Sequence, residues 1–165
     1  MSTQLKTRLQ SCAAFAALLV FTAASAQQPY DSITCRAGTI TPLAQAEKVF
    51  VWALDHRGVS QTSDPKDPFN NFTQRCIGVV AAVEGKISGN GWCRSVDPKT
   101  GDWTLIDWTA SDKPGHGTWS FRHGTGKWQG VTGGGTYEPT GATRPVEAGT
   151  YQNCVHGMGT WKLPG

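Results

Sequence analysis

Four histidines, His56, His116, His123 and His156, are spread singly along the chain. None stands in the spacing with a second histidine or a carboxylate that closes a zinc site. Each reads first as a hydrogen-bonded structural residue, and no metal or other cofactor is expected. His123 differs from the rest because it shares one predicted strand face with Trp119 and Phe121. Asp107, in "DWTLIDWTA", lies inside an apolar stretch rather than at a turn. Facing inward, it would be desolvated into an acid or base near neutral pH; facing outward, it is an ordinary solvated carboxylate. Asp55, beside His56, has the same two readings. Asp97, Asp102 and Asp112 flank turns, and "DPKTGD" lacks the alternating oxygen ligands of a calcium loop. No Gly-x-Ser-x-Gly elbow offers a serine nucleophile.

Tryptophan is the abundant residue with a use beyond packing. Seven occur, at positions 52, 92, 103, 108, 119, 128 and 161. They can fill a core, line a pocket for an apolar guest, or stack on sugar rings at a surface. Trp52, Trp108, Trp119, Phe121 and His123 form the expected lining if the interior holds a ligand. Indoles converging inward favour a cavity; a coplanar exposed row favours sugar binding.

The cysteines say how such residues would be held. Ahead of them, Lys6 and Arg8, the apolar run Ala13–Ala24 and the small-x-small pattern Ala24-Ser25-Ala26 read as a cleaved export signal over residues 1–26, too short to span a bilayer. Residues 27–165 then form one exported domain, periplasmic or secreted, with no membrane span. Cys12 leaves with the signal, so Cys35, Cys76, Cys93 and Cys154 remain, an even count in an oxidising compartment. "CIGVVAAVEGKISGNGWC" reads as a hairpin turning at Glu84-Gly85. Pairing Val83 with Lys86 brings Cys76 opposite Cys93 in a close, non-hydrogen-bonded pair that a disulfide can bridge. Elimination leaves Cys35–Cys154, which ties the first strand to the last.

About eight strands are predicted: Ser32–Thr39, Lys48–His56, Cys76–Val83, Lys86–Arg94, Trp103–Ser111, Gly117–Arg122, Gly134–Glu138 and Gly149–Trp161. The class is all-β. "PLAQAEK", Pro42 to Lys48, is the one stretch that could hold a helical turn. "KVFVWAL" is apolar on both faces, so its strand needs an outer cover, either the Pro/Asp-rich loop that follows it or a partner subunit. Without Lys6 and Arg8 the chain carries thirteen basic and twelve acidic residues. With no basic cluster, nucleic acid is not an expected partner.

Glycines crowd one segment, at positions 124, 126, 130 and 133 to 135. Glycine in a sheet marks bends and close approaches, and a small barrel needs both. A phosphate-cradling loop would require a helix after the glycines, and none follows. The run Gly124-Thr125-Gly126-Lys127-Trp128, Gly130, then Gly133-Gly134-Gly135-Thr136-Tyr137 resembles the hallmark of the allene oxide cyclase-like and dirigent-like β-barrels. "GNGWCRSVDPKTGD" upstream is similar to that of small exported bacterial members. The resemblance covers roughly Cys76 to Tyr137. It implies a closed, calycin-like antiparallel barrel of eight strands whose interior can hold a small apolar molecule, and its plant members are commonly oligomers, so a homo-oligomer is an expected partner state. It carries over no catalytic position. Three functions follow as expectations: an exported barrel that binds a small apolar ligand or serves as an envelope interaction module; an isomerase or cyclase that shapes a hydrophobic guest without nucleophile or metal; and a carbohydrate-binding module using exposed tryptophan.

Overall fold

The computed structural model describes residues 26–141 and 143–165. The expected export signal falls on residues 1–26, so all of it but Ala26 lies outside the described residues. Eight antiparallel strands close into a barrel in chain order. They are β1 (Gln28–Ala46), β2 (Val49–Gln61), β3 (Thr73–Val83), β4 (Lys86–Val96), β5 (Trp103–Ala110), β6 (Gly117–Gly124), β7 (Thr132–Pro139) and β8 (Thr150–Lys162). Because β8 pairs back onto β1, no sheet edge is left unpaired. No helix among the described residues is long and apolar enough to cross a membrane.

Both disulfides follow from strand register. The β3–β4 turn places Glu84 at φ 50° and Gly85 at φ 82°, the left-handed pair that a tight hairpin demands. Val83 therefore opposes Lys86, and seven residues further out Cys76 opposes Cys93, to which it is bonded. Cys35 likewise opposes Cys154 across the β1–β8 seam and is bonded to it. The first bridge faces the barrel interior and the second the outer surface.

Two local expectations are corrected. Pro42 to Lys48 forms no helical turn. β1 continues through Ala46, with a bulge between Pro42 and Ala44 that leaves Leu43 59% exposed. Pro42 has no N–H to give the ladder, so the strand is interrupted there, and pairing resumes at Ala44 opposite Val51. The Pro/Asp-rich loop does not cover the outer face of β2 either. Carboxylate-capped turns, with Asp64 accepting from the Lys66 N–H and Asp67 from the Phe69 N–H, fold it inward across one end of the barrel. Phe69 and Phe72 are thereby buried against Trp119, Phe121, Trp128 and Val131.

The glycine-rich segment supports the same aromatic plug. β6 stops at Gly124, a short 3-10 turn spans Gly126–Trp128, and Trp128 is driven to 2% exposure. Gly126 has φ 52°, and a β-carbon there would fall on the Asp102 carboxylate. The plug leaves the rest of the interior to be lined rather than filled.

Candidate ligand cavity

Above the plug lies a cavity of about 410 Å³. Its floor is Tyr30 against Trp119, with ring centroids 4.6 Å apart. Trp52, Leu54, Val80, Ile106 and Trp108 give it apolar walls, and it reaches the rim at Pro114, Gly115 and His116 in the β5–β6 connection. Alternation along the strands puts these residues on one face, as a pleated sheet requires. Glycines decide how the largest of them lies. Side chains at Gly78 or Gly91 would run into the Trp108 indole, so their absence from β3 and β4 lets that ring lie against the wall.

Polar side chains interrupt the apolar lining: Ser32, Thr34 and Gln74 toward the floor, and a charged cluster at mid-height. Arg36 on β1 donates from Nε to Asn153 Oδ1 at 2.8 Å, and its Nη1 lies 3.5 Å from His56 Nε2. On the other side of the imidazole, Tyr151 Oη meets His56 Nδ1. An arginine N–H can only donate, so His56 Nε2 is the acceptor and Nδ1 carries the proton. Nδ1–H then donates to the tyrosine oxygen, which leaves the Tyr151 hydroxyl proton free to donate elsewhere.

Burial sets the protonation states. It lowers the His56 pKa to about 3, with the Arg36 charge adding to the effect and Asp55 opposing it. It also pushes the Tyr151 hydroxyl up to about 12 and pulls the Arg36 guanidinium below its ordinary value. Near neutral pH the cluster is therefore a neutral imidazole, a neutral phenol and one cation. His56, Cys76 and Cys93 hold three potential metal-ligand atoms within 4.8 Å of one another. Both sulfurs are consumed in a disulfide, however, and thiolate is the form that binds metal.

The expected lining divides in three. Trp52, Trp108 and Trp119 border the cavity. Phe121 sits one layer below, in the plug, edge-on to Trp119 and stacked with Phe69. His123 is exposed on the outside, beside Trp103 with ring centroids 5.3 Å apart. The reason is a bulge: Ile106 opposes Phe121 but Leu105 opposes His123, so Arg122 is an extra residue that reverses the alternation. Asp107 faces outward and pairs with Arg122 at 2.6 Å. Asp55 also lies outside, held by Arg75 through two hydrogen bonds. Of the seven tryptophans, only Trp92 is among the large apolar side chains exposed on the described surface, so no coplanar row forms there.

Sequence reading passed over the polar cluster. Arg36, His56, Tyr151 and Asn153 come from three strands and share no local motif. The usable signal was register: Cys35 opposite Cys154 aligns Arg36 with Asn153 and Gly38 with Tyr151.

Two solved structures of pterocarpan synthase dirigent proteins share this architecture. The first has a TM-score of 0.50 and 11% identity, over 86% of this chain and 99% of its own. The second has a TM-score of 0.51 and 12% identity, over 96% of this chain and 99% of its own. At such identity the likeness shows the fold, a dirigent-like eight-stranded barrel, in agreement with the glycine-rich hallmark. No family model matches the chain, and no curated protein does.

Proposed function

We propose that this protein is an exported barrel that binds a small, largely apolar molecule in its interior. The observation that carries the reading is the cavity itself. An aromatic plug closes one end of the barrel, while Trp52, Trp108 and Trp119 are left lining a space instead of filling it. Apolar walls with a few convergent polar groups are the usual make-up of a small-molecule site. Two disulfides fit folding in an oxidising compartment.

Native mass spectrometry of the protein from its own host, with titration of a neutral solvatochromic dye, tests the reading. A retained small molecule or saturable dye binding is expected, and Trp52→Ala at the cavity wall should weaken the dye. An empty protein that binds no apolar probe would overturn it.

A second reading, a barrel that isomerises or cyclises a bound guest, is favoured by the neutral His56 and Tyr151 in the cavity wall. Such a site works by orientation and exclusion of water, with a hydroxyl or imidazole moving a single proton. Under this reading Tyr151→Phe abolishes turnover of the retained molecule even when the variant is saturated with it.

A further inference from the structure

We infer that the ligand is a monoanion whose carboxylate, or a similarly planar oxyanion, docks on Arg36 while its apolar body lies against the tryptophans. The inference rests on the cavity being a ligand site and adds the chemical class of its occupant.

The argument begins with a charge that lacks a partner. Arg36 borders the cavity, and among the described residues no carboxylate lies within 4.0 Å of its guanidinium. Its two contacts, Asn153 Oδ1 and His56 Nε2, are neutral acceptors. They orient the guanidinium without cancelling its charge. The carboxylate nearest in sequence register, Asp55, is on the opposite face of the sheet and is engaged by Arg75. His56 stays neutral beside Arg36 and supplies no negative charge.

Arg36 is half-buried in the cavity wall, and taking a cation even partly out of water is costly; a lysine or histidine could relieve that cost by losing its proton. Arginine has no such route in a protein. A guanidinium with only neutral acceptors is thus left to draw its counter-charge from a molecule that enters the cavity. Two features set its chemistry. The guanidinium fork has five N–H donors, of which Nε and one on Nη1 have partners, and its plane matches the two oxygens of a carboxylate. The Tyr151 hydroxyl, its oxygen already accepting from His56, adds a neutral donor at the same level of the barrel. A patch made of donors around one fixed positive charge selects an acceptor-only, negatively charged head. Most of the lining beyond this patch is apolar, from Tyr30 and Trp119 at the floor, past Ser32, Thr34 and Gln74, to Ile40 and Ile87 near the rim, which calls for an apolar body on the ligand and not a small inorganic ion alone.

The test uses a matched pair, 1-naphthoate and its uncharged counterpart 1-naphthalenemethanol, titrated calorimetrically into the disulfide-bonded parent at neutral pH. The naphthoate is expected to bind at least about tenfold more tightly, since a charge-assisted, bidentate pair is far stronger than a neutral contact. Arg36→Met should remove that preference while binding of the alcohol stays within about twofold. Tyr151→Phe, which changes no charge, should weaken the acid several-fold and leave the alcohol unchanged. The comparison within the parent stands even if Arg36→Met does not fold. Equal binding of acid and alcohol by the parent would overturn the inference and leave the apolar cavity reading intact. Binding of neither would overturn both.

Discussion

Tyr151 and His56 meet across Gly38. The glycine is the β1 residue that opposes His56 on one side and Tyr151 on the other. With no side chain between them, the two rings lean over β1 edge to face, with centroids 5.6 Å apart. A β-carbon at Gly38 would lie 2.5 Å from the His56 β-carbon and 2.2 Å from the Asp55 carbonyl oxygen. Gly38→Ala is therefore expected to destabilise the barrel by roughly 1–3 kcal/mol, the usual cost of overpacking. Urea unfolding reads this directly, and a variant as stable as the parent would remove glycine from the account of this contact.

The same pair sets a pH dependence. His56, 1% exposed, is held neutral down to about pH 3, first by burial and then by Arg36, against an ordinary value near 6.5. Tyr151 and Arg36 face it from β8 and β1, and neither gains charge on acidification. Between about pH 6.5 and 3 the unfolded chain binds a proton at this site that the folded chain refuses. Stability from this residue is therefore complete above pH 6.5 and falls as the pH drops through that window. The contribution lost between pH 7 and 4 is on the order of 3 kcal/mol. Urea midpoints measured across this range should fall less steeply for His56→Gln than for the parent. Parallel slopes would show that His56 protonates in the folded barrel.

The two disulfides should not be equivalent. Cys35–Cys154 closes a sequence separation of 119 residues and Cys76–Cys93 one of 17. Loop-closure entropy then assigns about 5 kcal/mol to the seam bridge and about 3 kcal/mol to the hairpin bridge. Cys35→Ala/Cys154→Ala is thus expected to lower the unfolding midpoint more than Cys76→Ala/Cys93→Ala. The reverse order would mean that the interior bridge also contributes packing beside His56 that the entropy argument leaves out.

What could be read in the sequence depended on whether a local rule set the geometry. Glu84-Gly85 fixes a two-residue turn, and counting outward from it reaches Cys76 and Cys93 without further information. β1 offered no comparable guide, because its alternation is inverted. Ser32 and Thr34 are buried at 1% and 6% exposure while Ile33 is 45% exposed. Apolar patterning would turn this strand inside out and send Arg36 to solvent. His123 was misplaced by a single extra residue, Arg122, which no propensity marks. His56 looked solitary because its partners Arg36 and Tyr151 lie 20 and 95 residues away. The barrel was thus legible through its turns and cysteines, while the cavity's polar cluster is a product of closure.

The glycine-rich segment leads to the last prediction. Gly126 holds φ 52° with the Asp102 carboxylate where a side chain would project. Gly126→Val imposes a β-branched residue on that left-handed conformation and on that contact, at a cost of order 1–3 kcal/mol. Lys127, the next residue, is more than a charge beside a turn. Its ammonium pairs with Asp97, whose side chain is 1% exposed, and lies 5.0 Å from the centre of the Trp128 ring. Asp97 is also fixed by the Lys99 N–H at 2.8 Å. Burial raises the pKa of this carboxyl, but Lys127 and the Lys99 N–H outweigh it and hold it below the usual range. Lys127→Ala would strand a buried carboxylate and should cost about 1–3 kcal/mol, less than a fully buried pair because the lysine is 43% exposed. Asp97→Asn in the Lys127→Ala background should recover part of that loss, since the amide needs no counter-charge. Thermal unfolding of the four members of this cycle measures the coupling. Additive effects of the two substitutions would show that the ion pair does not anchor Trp128, and with it the plug that leaves the cavity open above.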